Sequence, residues 1–128
     1  MNLLLDTHVA LWAITESPRL PESIKVLIES QKTTVWISAA SIWEIAIKHA
    51  LGRGDMPVSS QDAAGYFEES GYRVLDITSE HAIAVESLPN HHSDPFDRMI
   101  VAQALVEPLR LVTHDQMVAK YSDSFVKI

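Results

Sequence analysis

Short apolar runs that alternate with helical segments constrain the fold of this chain more than any other feature. The first run, Leu3-Leu-Leu5, is apolar at every position and ends at Asp6. Strands with this pattern are buried on both faces, whereas strands with one solvated face alternate apolar and polar residues. The sequence therefore predicts an α/β fold with a parallel sheet that helices cover on both faces.

Apolar runs, β-branched residues and turn signals divide the chain into alternating strands and helices. The predicted strands are residues 3–5, 33–37, 72–77, 109–112 and 125–128. Seven helices are predicted. The first is 7–14, the second is opened by Pro21, the third is capped by Ser38 or Ser41 and runs to 51, and the fourth runs from Ser59 or Ser60 to 71. The fifth is 79–88 with Ser79 as its cap, the sixth runs from Asp94 and Pro95 to 107, and the last is 115–121. Residues 52–57 form the most obvious loop, and without a linker residues 1–128 are expected to form one domain.

The composition excludes several classes of protein. The 128 residues include no cysteine, which excludes a disulfide framework and a thiolate metal site. No run of about eighteen apolar residues occurs, and no basic region precedes the leucines at the start, so neither a membrane helix nor a signal peptide is expected. The net charge of −7 argues against broad electrostatic binding to nucleic acid, but a nuclease remains open because acids at a metal site contribute to that total. We expect a cytoplasmic protein with no membrane association.

The segment His91–Ala104 combines a helix start with two carboxylates that lie one turn apart. Asp94 can cap the helix, and Pro95 fits the first helical position, where a missing N–H costs nothing. Asp97 then occupies the third helical position, where the helix dipole favours a negative charge. Capping alone can explain such a pair, so its chemical meaning depends on the rest of the chain.

Four acids are expected at one edge of the sheet, although they are far apart in sequence. Asp6 ends the first strand and Asp115 follows the fourth. Asp97 lies in the first turn and Glu44 in the second turn of helices that begin at the same edge. Ligand sites in open parallel sheets lie outside the carboxyl ends of the strands. Each acid also has a structural explanation: Asp6 and Asp115 can be helix caps, and Glu44 can pair with Lys48 four residues later.

Electrostatics favours a cation at such a cluster. Two carboxylates about 5 Å apart repel by roughly 3 kcal/mol at an effective dielectric constant of about 20. A cluster of four acids must therefore take up protons or bind a cation. A site made of oxygen ligands alone suits Mg²⁺ or Mn²⁺ better than zinc.

Several motifs, taken in order, resemble the PIN-domain family and, more narrowly, the VapC-type toxins of bacterial toxin–antitoxin pairs. The motifs are Leu5-Asp6-Thr7-His8, Ile37-Ser38-x-x-Ser41-Ile-Trp-Glu44, Asp94-Pro-Phe-Asp97-Arg98-x-Ile-x-Ala-Gln-Ala104 and Val112-Thr113-x-Asp115. The likeness spans essentially the whole chain. It implies a three-layer α/β/α sandwich with a five-stranded, mainly parallel sheet, and cleavage of RNA that depends on Mg²⁺ or Mn²⁺.

The resemblance assigns the family's acidic site to four residues of this chain: Asp6, Glu44, Asp97 and Asp115. The family's acid heads the Arg-x-Ile-x-Ala helix, which selects Asp97 and leaves Asp94 as a cap or a supporting group. Five further residues are candidates around the site: Thr7 and Thr113 as hydroxyl positions that line it, Asp94 as a support, and Arg98 and Lys48 as contacts to the phosphate backbone or as partners of the acids. Gln116 and Met117 follow Asp115, so no fifth acid stands there and the number of metal ions stays open.

The resemblance also implies partners. An RNA substrate, a cognate antitoxin that masks the active site, and a homodimer are expected. Apolar helical residues near both ends of the chain can serve these contacts or the core: Val9, Trp12, Ile14, Ile24 and Leu27.

Three alternatives to a metal-dependent nuclease remain open at this point. A metal-free ribonuclease can use histidines, of which His8 and His114 adjoin the predicted acid site, whereas His91 and His92 are expected to be solvated loop residues. A receiver-type regulatory domain also gathers acids at strand ends, but residues 109–114 lack the lysine that such a domain needs. A PIN fold that only binds protein is the third. Phosphatase chemistry of the Asp-x-Asp type is unsupported, because His8 occupies the second position after Asp6.

Overall fold

Five parallel strands form a single sheet in the computed structural model, which describes residues 1–52 and 56–128. The strands are β1 (Asn2–Leu5), β2 (Thr34–Ser38), β3 (Arg73–Leu75), β4 (Arg110–Thr113) and β5 (Val126–Lys127). All four neighbouring pairs run parallel. The predicted parallel sheet is confirmed, and none of its pairs is antiparallel within the described residues.

The strand order is β3-β2-β1-β4-β5, which places a topological switch point between β1 and β4. The chain moves outward from β1 to β3 on one side and then returns to lay β4 and β5 on the other. A crevice opens at such a point, outside the carboxyl ends of the two central strands. A receiver-type domain has the order 2-1-3-4-5, so that alternative is wrong for this chain.

Helices connect the strands as the apolar pattern predicts. In the described residues they are α1 (Thr7–Ile14), α2 (Glu22–Glu29), α3 (Ala39–Ala50), α4 (Ser60–Glu69), α5 (Ser79–Ala84), α6 (Pro95–Val106) and α7 (Gln116–Ala119). Ser38 caps α3, Ser59 caps α4 and Asp94 caps α6, each through a hydrogen bond from a backbone N–H of the first turn. These caps resolve the choice between Ser38 and Ser41 and between Ser59 and Ser60.

The regular elements are shorter than predicted around residues 72–88. Strand β3 has three residues because it is an edge strand that pairs only with Trp36–Ser38 of β2. The predicted helix 79–88 ends at Ala84 and continues as a 3₁₀ turn, Val85–Ser87. Its cap is Thr78 instead of Ser79, because Thr78 and His81 exchange reciprocal backbone–side-chain hydrogen bonds of 3.0 and 3.2 Å.

The two faces of the sheet carry separate cores, which give the three layers. Leu3 and Leu5 of β1 are fully buried against one group of helices, with Val9 and Ala10 of α1 and Phe67 of α4. Leu4, pointing to the other face, packs with buried residues of α6 and β4: Ile100, Val101, Ala104 and Leu111. Burial on both faces explains why β1 is apolar at every position.

The sequence also predicts a loop at residues 52–57 and no membrane helix. The predicted loop 52–57 lies partly outside the described residues, because 53–55 are not among them. Within the ranges that are described, no helix has the length and apolar character needed to cross a bilayer.

Candidate active site

Asp6 joins the ends of the two central strands. It follows β1 and caps α1, with Oδ1 accepting a hydrogen bond of 2.9 Å from the N–H of Val9. Its Oδ2 lies 3.3 Å from the backbone nitrogen of His114, which follows β4. The side chain is only 7% exposed. Burial raises the pKa of Asp6, and hydrogen bonds from the Thr113 hydroxyl and the Val9 backbone oppose this rise.

Asp115 sits at the same edge, two residues beyond β4. Its backbone N–H donates to Oγ1 of Thr113 at 3.0 Å. Its Oδ1 caps α7 by accepting from the N–H groups of Met117 at 2.7 Å and Val118 at 3.2 Å. These bonds orient the carboxylate and leave Oδ2 3.6 Å from Nε2 of His92.

Glu44, in the second turn of α3, is held in a buried polar group with residues of the first turns of α1 and α3. Its Oε1 lies 2.7 Å from the hydroxyl of Thr7, which is also 2.9 Å from Oγ of Ser41. Its Oε2 accepts a hydrogen bond of 2.6 Å from Nζ of Lys48, the pairing expected four residues along a helix. Glu44 is 4% exposed and Lys48 bears a charge beside it, so this buried acid has the partner that its surroundings require.

Asp97 has a strongly perturbed acidity. It lies in the first turn of α6, where its N–H donates to Oδ1 of Asp94 at 3.0 Å. Burial raises the pKa of Asp97 to about 6; the 2.7 Å hydrogen bond with His92 opposes the rise, and the charges of Asp94 and Glu44 add to it. Asp97 is therefore a carboxyl group whose negative charge is only partly compensated by protein groups.

The structure brings the four predicted acids together. Thr113 contacts both Asp6 and Asp115, His92 lies between Asp115 and Asp97, and the charge of Glu44 acts on Asp97. They surround the carboxyl ends of β1 and β4, where the switch point opens the crevice.

Arg98 does not pair with an acid in the described part of the chain, which was one of the two roles considered for it. Among the described residues its guanidinium donates to the carbonyls of Val85, Pro89 and His92 and to the hydroxyl of Tyr121, at 3.1 to 3.2 Å, and to no carboxylate. Three of these four bonds go to residues 85–92, so Arg98 fixes the segment that carries His92 against α6.

His92 is the site residue that sequence reasoning missed. Its Nε2 lies 2.7 Å from Oδ2 of Asp97 and 3.6 Å from Oδ2 of Asp115, so the expectation of a solvated loop residue is wrong. The only local signal is its position five residues before Asp97, since histidines outside helices and strands carry no periodic pattern. His8 and His114 adjoin Asp6 as expected: the charge of His8 acts on Asp6, and the backbone N–H of His114 lies 3.3 Å from its Oδ2. Their rings face Trp12, at 6.4 Å for His8 and 5.2 Å for His114.

The donor set fits a divalent metal ion. His92, Asp97 and Asp115 each offer one ligand atom, and these three atoms lie within 4.8 Å of one another. The raised pKa of Asp6 and of Asp97 shows that burial works against both negative charges, which a cation would stabilise. Carboxylate oxygens are the ligands that Mg²⁺ and Mn²⁺ prefer, and imidazole is also accepted by Mn²⁺.

Comparison with known proteins identifies the family of this chain. The family profile of the PIN domain matches residues 3–123. Ribonuclease VapC22 of Mycobacterium tuberculosis is 31% identical over 116 residues, which cover 90% of this chain and 88% of that protein.

Solved structures show the same fold at low identity. VapBC2 of Rickettsia felis, bound to a promoter DNA fragment, superposes with a TM-score of 0.70 at 15% identity, covering 100% of this chain and 98% of that one. The DNA-bound VapBC of Salmonella typhimurium gives a TM-score of 0.68 at 19% identity, covering 100% and 97%. FitAcB of Neisseria gonorrhoeae gives 0.66 at 20% identity, covering 98% and 96%. The resemblance found in the sequence is thereby confirmed: the chain belongs to the PIN-domain family and is one of its VapC-type members.

Proposed function

We propose that the protein is a metal-dependent endoribonuclease that hydrolyses RNA phosphodiester bonds and acts as the toxin of a toxin–antitoxin pair. The observation that carries the proposal is the meeting of Asp6, Glu44, Asp97 and Asp115 at the switch point, with Asp97 raised in pKa to about 6. The name of the Mycobacterium tuberculosis relative, a ribonuclease, supports the RNA substrate.

Asp6, Asp97 and Asp115 are the direct ligands in this proposal, and Glu44 completes the acid set. A divalent ion at such a site supplies positive charge that polarises the phosphate, acidifies a water molecule and offsets charge on the leaving oxygen. Thr113 orients Asp6 and Asp115 through its hydroxyl, and Thr7 does the same for Glu44.

Two charged residues support the site in different ways. Asp94 caps α6 and holds the backbone of Asp97, while its charge adds to the rise that burial causes in the pKa of Asp97. Lys48 has a side chain that is 27% exposed beside Glu44, and we propose it as a contact to the RNA phosphate. A single local cation of this kind is compatible with a net charge of −7, because the metal ion supplies most of the attraction for the phosphate.

The proposed partners follow from the solved relatives. Two of the structures compared above are VapBC assemblies, from Rickettsia felis and Salmonella typhimurium, which supports a cognate antitoxin for this chain. Most of the apolar residues considered for such contacts are used internally: Val9 and Ile24 are buried, and Trp12, Ile14 and Leu27 pack against the core. We propose that the protein is a homodimer in the cytoplasm, where RNA is available. A chain without cysteine has no disulfide that the reducing conditions there would break.

Cleavage of a panel of RNAs by the purified protein tests the function. We expect cleavage with Mg²⁺ or Mn²⁺, none after chelation by EDTA, and recovery when the ion is restored. Asp97→Asn is the matched control, since it keeps the shape of the side chain and removes its charge. Equal cleavage by this variant would contradict the proposal.

One observation favours a second candidate, a metal-free ribonuclease. His92 is hydrogen-bonded to Asp97, and a histidine oriented by a carboxylate is suited to general acid–base catalysis. Cleavage that survives EDTA and is abolished by His92→Ala would select this candidate over the metal-dependent enzyme.

A further inference from the structure

Three protein groups hold His92 in place: Tyr121, Arg98 and Asp97. Its backbone N–H donates to the hydroxyl of Tyr121 at 3.0 Å, and its carbonyl accepts from Arg98 at 3.2 Å. Arg98 belongs to α6, the helix that also carries Asp97, and it binds the preceding carbonyls of Val85 and Pro89 as well. The imidazole is thus fixed relative to Asp97 by the backbone around it and not only by its own hydrogen bond.

The distances allow one ion to share three ligand atoms. Nε2 of His92 lies 2.7 Å from Oδ2 of Asp97 and 3.6 Å from Oδ2 of Asp115, and all three atoms lie within 4.8 Å of one another. Two atoms that each lie about 2.1 Å from a common ion are at most about 4.2 Å apart. Both distances from Nε2 lie within this limit, and the His92 side chain is 22% exposed.

We propose that the His92 imidazole is a direct ligand, so that the cation site is a mixed nitrogen-and-oxygen site. This inference rests on the proposed function, since it assigns a further ligand to the same cation. It differs from the expectation of an oxygen-only site. Such a site binds Mn²⁺ or another first-row transition ion more tightly than Mg²⁺, because imidazole nitrogen is a good ligand for these ions and magnesium prefers oxygen.

Binding measured by calorimetry on the full chain tests the ligand. Mg²⁺, Mn²⁺ and Co²⁺ are titrated separately into the metal-free protein and into His92→Ala. We expect Mn²⁺ and Co²⁺ to bind the variant at least 10- to 100-fold more weakly, the loss seen when even supporting groups of metal sites are removed. Mg²⁺ affinity is expected to change little. His91→Ala is the matched control, because His91 is the neighbouring histidine and its ring contacts Tyr121 instead of the acids.

Spectroscopy gives a readout that does not depend on activity or affinity. In the Mn²⁺-loaded protein, electron spin-echo modulation from a directly bound ¹⁴N nucleus is expected, and it should disappear in His92→Ala and in His92→Gln. The second variant keeps a hydrogen-bonding side chain but offers no imidazole, so it separates ligation from support of Asp97. Circular dichroism of the metal-free variants checks that they are folded.

Three outcomes would overturn the inference. The first is a manganese spectrum without nitrogen modulation, and the second is an unchanged Co²⁺ affinity in both His92 variants. In either case, RNA cleavage that still requires a divalent ion and Asp97 leaves the proposed function standing. The third is a wild-type protein that binds none of the three ions, which would remove the inference and the metal-dependent function together.

Discussion

Thr7 and Glu44 are 37 residues apart in sequence, and the hydroxyl of Thr7 lies 2.7 Å from Oε1 of Glu44. Both side chains are buried, at 3% and 4% exposure, so neither can exchange this contact for water. The bond ties the start of α1 to α3 at the edge of the site.

Replacing Thr7 by valine removes this hydroxyl at nearly constant volume. We expect a loss of about 1–3 kcal/mol in the free energy of unfolding, because a buried carboxylate loses a hydrogen bond. RNA cleavage should also decrease, since Glu44 is no longer held. Thr7→Ser keeps the hydroxyl and is expected to retain most of both. Urea unfolding and cleavage rates measure the two effects, and equal stability of the valine and serine variants would contradict the assignment.

The acidity of Asp97 predicts how the stability of the metal-free protein depends on pH. Its pKa is raised from 3.8 to about 6, so between these values the folded state holds a proton that the unfolded chain has released. Stability from this group is therefore present at low pH and is lost as pH rises through about 6. The loss is at most about 3 kcal/mol.

Urea midpoints in EDTA at a series of pH values measure this dependence. Asp97→Asn should flatten the profile, and it should be more stable than the wild type above pH 6. A residual slope is expected from Asp6, whose pKa burial also raises. A variant profile parallel to that of the wild type would show that Asp97 is not the titrating group.

Addition of a divalent ion should stabilise the folded protein, and more so at high pH. Binding to the folded state alone adds about 2.7 kcal/mol at an ion concentration 100 times the dissociation constant. The ligands must be deprotonated to bind, so the rise in melting temperature is expected to be larger at pH 8 than at pH 5. Thermal unfolding with Mn²⁺ and with EDTA tests this, with Asp97→Asn as the variant that should respond least.

Arg98 is expected to matter for the position of His92 and not for contact with RNA. Arg98→Met keeps the length of the side chain but leaves the carbonyls of residues 85–92 without their donor. We expect it to lose about 1–3 kcal/mol of stability and to bind Mn²⁺ more weakly. Faster hydrogen exchange at residues 85–92 would locate the effect. An unchanged manganese affinity would show that the loop does not depend on Arg98.

Asp94 can be separated from the active acids by its capping role. Asp94→Ser keeps a side-chain oxygen for the N–H of Asp97 and should retain stability, whereas Asp94→Ala should lose about 0.5–2 kcal/mol. Because the charge of Asp94 contributes to the raised pKa of Asp97, both variants should lower that pKa. An NMR titration of Asp97 measures it, and a pKa that is unaltered in both would rule out the coupling.

Much of the fold could be predicted because local chemistry and tertiary structure agree. The run Leu3-Leu-Leu5 is apolar throughout because both faces of β1 are buried, and Asp94-Pro95 starts α6 because capping and proline geometry act within a few residues. The extent of β3 could not be predicted, since it depends on how many residues of β2 remain to pair with it.

The candidate site also contains residues whose positions could be predicted from the sequence and residues whose positions could not. Asp6, Asp97 and Asp115 stand at element boundaries, where topology alone brings them to one edge. His92 lies outside the regular elements, and its place is set by bonds of its backbone to Arg98 and Tyr121, which no periodic pattern records. Arg98 was misjudged for a related reason: a charge in sequence does not reveal that its partners are carbonyl groups.

The position of β4 beside β1 determines when, during synthesis of the chain, the site can form. Asp6 and the backbone of His114 are 108 residues apart, yet each is needed to complete the edge at which the acids meet. A nascent chain that has emerged only as far as α6 lacks β4 and Asp115, and its cluster of acids is therefore incomplete. The edge at which the acids meet can therefore be completed only after β4 and Asp115 have been synthesised and have packed beside β1.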